Sequence, residues 1–508
     1  MQPRRFRERI RWKILKAAGF CCILVVIWAL FGKWTARLRD DYSYAHVDIG
    51  TERDAVFVEG CVDPQSYQQQ AGYVPQNATF VMLTRNEELS GVLSTIHSIE
   101  RHFNQWYQYP YVFINDESFT DEFVRQVKAA TRAEIRFGVL SDLEWEFPPD
   151  VREKLVFKES IENQGDRGIM YGSLESYHKM CRFYSGAFYK HPLVAQYEWY
   201  WRIEPDVEFF CDLTYDPFYE MSRTGKKYGF TVFLEELYWS VPNLFRYTRS
   251  FIRQNHIQTG NLWHLFVKDY NIVSGDSVLE SFINHEAEIE SEVVTQMKIQ
   301  ALMDAAKKDG SDDLDSEALE FLVDRALRRV PIIEDKFDNE EFNLCHFWSN
   351  FEIARVDLFN SGLYAKFFEF LEKSGGFWTE RWGDAPVHSL GLGLMLDVED
   401  VHYFRDIGYQ HSTIIHCPMN KADAQLPYVE NPDYSKVSQV NNDMYKIFSH
   451  VTRTKGQNED VGVGCRCVCP KDADIEDSNQ CFGKWYDITR DDYESPTALK
   501  LNLDLEED

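Results

Sequence analysis

Two acidic side chains flank a proline at Glu204-Pro205-Asp206, directly after the aromatic run Tyr197-Glu198-Trp199-Tyr200-Trp201-Arg202-Ile203. Bulky aromatics with a β-branched residue between turn signals spell a buried strand. Pro205 has no N–H for a sheet ladder, so the strand should stop there. In extended chain, positions i and i+2 face the same way, which would place the two carboxylates roughly 7 Å apart. Paired hard oxygens at a strand end suit Mg²⁺ or Mn²⁺, which take carboxylate, water and phosphate oxygens.

Two later segments carry the same kind of chemistry. In His346-Phe347-Trp348-Ser349-Asn350-Phe351-Glu352-Ile353-Ala354, Asn350 and Glu352 are polar groups isolated among aromatics. A carboxylate so placed is open to tuning by burial. Gly375-Gly376-Phe377-Trp378-Thr379-Glu380-Arg381-Trp382-Gly383-Asp384-Ala385-Pro386-Val387-His388 reads as a loop leading into an apolar helix. There Asp384 can accept paired hydrogen bonds from sugar hydroxyls while Trp382 packs on a ring. His411 and His416 follow downstream, and spacing does not choose among the histidines for a metal.

Elements must position these groups. Thr79-Phe80-Val81-Met82-Leu83 reads as a strand, with Thr84-Arg85-Asn86-Glu87-Glu88-Leu89 opening a helix through Ile99. Tyr111-Val112-Phe113-Ile114-Asn115-Asp116 reads as a second strand. Strand, helix, strand at this spacing predicts an α/β fold. Ligands of such sheets bind at the carboxyl ends of strands, where Arg85, Asp116 and Glu204 would fall.

The flanks speak to compartment. Arg4, Arg5, Arg7, Arg9, Arg11, Lys13 and Lys16 face a single acid, Glu8, in the first sixteen residues, and residues 17–32 carry no charge. This predicts a cytosolic tail at 1–16 and a signal-anchor helix at 17–34, with a cleaved signal peptide as the alternative. A polar stem at 35–75, a catalytic domain at 76–482 and an acidic tail at 483–508 would follow on the luminal side. Within the domain, residues 276–320 hold thirteen acids against Lys298, Lys307 and Lys308, an expected helical insertion. The net charge of −28 excludes a nucleic-acid footprint. Nine cysteines lie beyond the anchor, an odd number, so disulfides of undetermined pairing should leave at least one thiol over. The Cys465-Arg466-Cys467-Val468-Cys469 run lacks zinc spacing. Asn77-Ala78-Thr79 is a glycosylation sequon expected at the surface.

Six ordered blocks carry a resemblance. They are Tyr177 to Gly186, Tyr200 to Val207, Tyr228 to Thr231, Ser349 to Ala354, Glu380 to His388, and Ile407-Gly408-Tyr409-Gln410-His411 through His416-Cys417-Pro418. Together they closely resemble the fungal Golgi α-1,2-mannosyltransferases of glycosyltransferase family 15. The resemblance implies a GT-A-like fold with a mixed central sheet behind a type II Golgi anchor. It implies a GDP-mannose donor, Mn²⁺, retention of the α configuration and a mannosylated glycoprotein acceptor. On matching positions, Glu204 and His411 look like metal ligands, Glu352 like the carboxylate beneath the anomeric carbon, and Tyr177 like the tyrosine facing the reacting sugar. Loop position and chemistry add Arg85 for the nucleotide, Asp206 for the ribose or second metal shell, and Trp382 with Asp384 for the mannosyl unit. Mannosylphosphate transfer from the same donor and a non-catalytic Golgi scaffold are the rival readings.

Overall fold

The computed structural model describes residues 55–269, 336–337, 340–426, 458–459, 462–470, 475 and 479–489. The expected anchor and acidic insertion lie outside these residues. Among the described residues no helix is long and apolar enough to cross a membrane.

Strands buried on both faces form the middle of the central sheet. Its strands are β1 (Ala78–Leu83), β2 (Tyr111–Asn115), β3 (Ile135–Val139), β4 (Trp199–Arg202), then β6 (Tyr228–Phe230), β7 (Glu352–Arg355) and β8 (Val401–Tyr403), with a short β5 (Glu208–Phe209) outside it. The order across the sheet is β8-β6-β7-β4-β1-β2-β3. Six strands run parallel to one another and β7 runs against β4 and β6, so the sheet is mixed. Side chains alternate between two cores: Val81, Val112, Tyr200 and Tyr228 fill one face, and Phe80, Tyr111, Phe113, Trp199 and Trp201 fill the other.

The expected strands at 79–83, 111–116 and 197–203 are present within a residue or two, and α1 (Leu89–Ile99) is the expected helix. Two further helices cover the site face, α2 (Glu175–Gly186) and α3 (Asp384–Gly393). Gly186 lets α2 approach closely, because a Cβ there would lie 2.1 Å from the Phe368 ring.

Both expected domain edges shift. Ala55–Val58 and Pro64–Gln68, expected in a free stem, pack on the body: Phe57 is buried with its ring 3.7 Å from that of His402. At the other end, a helix at Gln480–Thr489 crosses the expected boundary at 482 and buries Trp485, Tyr486 and Ile488. Apolar content inside a charged stretch decides this, not net charge. Disulfides fasten both ends: Cys61–Cys465, Cys211–Cys467, Cys345–Cys481 and Cys417–Cys469. The thiol left over is Cys181, buried on α2. Asn77 sits exposed just before β1, as a glycan acceptor must.

Candidate active site

Glu204 lies just past the carboxyl end of β4, and β7 places Glu352 beside Arg202, two residues before it. Because β7 is antiparallel, it begins where β4 ends, and Glu352 pairs in register with Arg202. Ser349 and Asn350 arrive on the same turn. His411 comes from a second small sheet. There β9 (Tyr409–His411) pairs with β5 and with β10 (Ile414–His416), matching Gln410 to Glu208. That register carries His411 back over the Glu-Pro-Asp turn, and its Nε2 stands 3.6 Å from Glu204 Oε2. The two side chains are 27% and 20% exposed, so the pair opens to solvent.

Each member is held from behind. Arg202 donates from Nη2 to Glu204 Oε1 at 2.5 Å, which leaves Oε2 for His411 or a cation. Its Nη1 pairs with Asp384 Oδ2, and its guanidinium lies 3.4 Å from the centre of the Tyr184 ring. Ser349 Oγ donates to the same Asp384 oxygen at 2.6 Å. Burial alone would push the Asp384 carboxyl up, but Arg202, His388 and the Ser349 hydrogen bond hold it below the usual carboxylate range.

Asn350 Nδ2 approaches His411 Nδ1 at 2.8 Å, and Tyr409 donates to Asn350 Oδ1 at 3.2 Å. In this orientation Nδ1 accepts and Nε2 keeps the proton, directed at Glu204. Turning the amide over would give Nδ1–H an oxygen acceptor and free Nε2 as a ligand. Glu204 and His411 thus fit a divalent cation as one hard oxygen and one imidazole nitrogen. Among the described residues no three His, Cys, Asp or Glu side chains cluster as a metal cage, so a cation here would need ligand or water oxygens as well.

Beneath this pair lies a closed polar set. Glu352 is 0% exposed. Its Oε1 accepts from the Tyr200 hydroxyl at 2.8 Å, and its Oε2 accepts from the Tyr228 hydroxyl at 3.0 Å and from His388 Nδ1 at 3.1 Å. His388 Nε2 is bound to the Tyr184 carbonyl at 2.9 Å. Burial would lower the His388 pKa, but the Glu352 charge and hydrogen bond raise it above the ordinary value.

The structure therefore brings together Glu204, His411, Asp384 and Glu352, and treats the other candidates differently. Tyr177, on α2, has its ring 5.5 Å from the Arg381 guanidinium, and burial pushes its phenol up. Arg85 stays at the rim past β1, exposed and paired with Glu88 at 2.9 Å. Asp206 corrects the extended reading: its φ of +60° turns the chain, and its carboxylate sits where a Cβ on Gly91 would fall. It therefore faces α1 and not the Glu204 side. Trp382 is also corrected. It is buried in the interior, its indole donating to Glu380 at 2.5 Å, because Gly376 leaves room for the ring against the backbone. It has no face for a sugar. Asp384 is spoken for by Arg202 and Ser349, and holds the site instead of lining it. His416 is structural, bound to Tyr403 and the Ile407 carbonyl.

Arg202, Tyr200, Tyr228 and Tyr184 had no sequence assignment. The missed signal was Arg202, a lone cation inside an otherwise aromatic strand, which needs buried acids around it. Trp348, half-buried with its ring 5.4 Å from that of His411, also borders the opening.

The chain matches the model of the glycolipid 2-alpha-mannosyltransferase family over residues 47–273 and 317–449. It is 50% identical over 478 residues to the probable mannosyltransferase KTR7 of Saccharomyces cerevisiae, covering 92% of this chain and 88% of that protein. To O-glycoside alpha-1,2-mannosyltransferase homolog 5 of Schizosaccharomyces pombe it is 47% identical over 370 residues, 73% of this chain and 77% of that one. Among solved structures it is similar to core-mannan synthase A of Aspergillus fumigatus in its Mn/GDP form. That match has a TM-score of 0.52 and 32% identity, over 70% of this chain and 80% of the other.

Proposed function

Because this chain belongs to the glycolipid 2-alpha-mannosyltransferase family, we propose that it moves mannose from GDP-mannose to a mannose-terminated glycan through an α-1,2 bond, with retention. The observation that carries this is the convergence of Glu204 Oε2 and His411 Nε2 at the carboxyl end of β4, above buried Glu352. A GT-A-like fold, a type II anchor at 17–34, a Golgi lumen location and the glycan at Asn77 complete the reading. The basic tail, the sequon and the four disulfides support the luminal side.

Glu204 and His411 would hold Mn²⁺, which as a Lewis acid stabilises the charge gathering on a departing diphosphate. Arg202 fixes the Glu204 rotamer so that only one oxygen faces outward. Tyr177 lines the sugar side. Glu352 supplies negative potential under the mannosyl carbon. In this set the three carboxyl groups of Glu204, Asp384 and Glu352 face two basic partners, Arg202 and His388. For direct attack Glu352 would have to leave three hydrogen bonds and full burial. Front-face approach of the acceptor hydroxyl asks for no such motion.

The test is the purified full chain with GDP-mannose, methyl α-mannoside and Mn²⁺, following GDP release and the linkage formed. An α-1,2-linked dimannoside abolished by chelation is the expected product. A mannosylphosphate diester, or bound donor with no turnover, overturns the reading.

A further inference from the structure

Exposed apolar side chains gather beside the site. Met170, Tyr171 and Leu174 precede α2, and Leu237 and Trp239 belong to a turn ending at Ser240; Tyr171 is 50% and Trp239 48% exposed. The two segments meet where the Arg167 guanidinium lies 6.0 Å from the Trp239 ring centre. Tyr171 has a left-handed backbone, φ +59°, which is disfavoured for a bulky side chain and marks a held conformation. Its ring stacks on Tyr177 at 4.7 Å and 28°. On the other flank, Arg381 beside Tyr177 binds Glu236 Oε1 at 3.1 Å and donates its backbone N–H to the Ser240 carbonyl at 3.2 Å. The turn carrying Trp239 is thereby tied to Tyr177 and made continuous with the transfer site.

Clustered exposed apolar groups rimmed by charge mark a binding surface. A pyranose offers an apolar C–H face to aromatic rings and hydroxyls to neighbouring Arg and Glu. We propose that Trp239, with Leu237 and Tyr171, forms a ledge that binds the second and later mannose units of an oligomannoside acceptor, outward from Tyr177. This rests on the mannosyl-transfer reading.

The test compares methyl α-mannoside with a linear α-linked mannotriose as acceptor for wild type, Trp239→Ala and Trp239→Phe. For the wild type, KM should be lower with mannotriose. Trp239→Ala should raise the mannotriose KM about 3- to 10-fold, the range of one aromatic contact, with kcat held. Methyl α-mannoside kinetics should not move, and Trp239→Phe should retain most of the preference. Equal KM changes for both acceptors, or none, overturn the ledge. If the wild type turns over neither acceptor, the transfer reading fails; calorimetric binding of mannotriose to the GDP-loaded protein then decides the ledge alone. Weakening by Trp239→Ala supports it, and equal or absent binding refutes it.

Discussion

Replacing Glu352 tests whether the buried set is a balanced charge network or a passive plug. At 3.1 Å the His388–Glu352 pair has a gross attraction of about 5 kcal/mol at an effective dielectric near 20. Desolvation returns most of that, but removing one partner strands the other in the core. Glu352→Ala also strips an acceptor from Tyr200 and Tyr228. Its expected cost is about 3–5 kcal/mol. Glu352→Gln is different. Neutral His388 can keep Nε2–H on the Tyr184 carbonyl and accept at Nδ1 from the new amide, while both phenols keep a partner. It should cost about 1–2 kcal/mol. Denaturant unfolding with disulfides intact measures both, and transfer assays on the Gln variant read the chemistry: it should stay folded and lose turnover. The pH dependence gives a second handle. A folded-state pKa raised above 6.5 means that His388 contributes stability fully present below 6.5 and lost as pH rises through the raised value. Wild type should weaken across that window, and Glu352→Gln should show less of the loss. Equal costs for Ala and Gln, or the same pH slope in both proteins, would refute the network. Full turnover by Glu352→Gln would refute the charge role.

Other outcomes follow from the same geometry. Asn350→Ala should weaken Mn²⁺ binding about 10- to 100-fold, while Asn350→Asp, a firm acceptor for His411 Nδ1–H, should restore or exceed it. Titration of the free protein followed by the Mn²⁺ paramagnetic signal measures this without turnover. Breaking Cys345–Cys481 by a double Ser replacement should cost about 2–4 kcal/mol and expose the helix at Gln480–Thr489 to limited proteolysis, with the central sheet intact. Unchanged protease resistance would mean that Trp485 and Tyr486 hold that helix unaided.

Local chemistry settled much of this protein. Continuous apolar and aromatic runs marked out β1, β2 and β4, Pro205 accounted for the end of β4 at the Glu204 turn, and an odd count of cysteines beyond residue 34 foretold a thiol left over. These are properties of a few neighbouring residues. The site was decided by pairings between distant segments. Register between β7 and β4 put Glu352 beside Arg202, and pairing of β9 with β5 brought His411 to Glu204 while sending His416 inward. The same packing took Trp382 out of reach of a sugar, since the space beside Gly376 belongs to the fold and not to the loop's composition. A sequence states which side chains can bind charge, metal or ring. Which of them share a place depends on strand register and on the room their neighbours leave, and both exist only once the chain has folded.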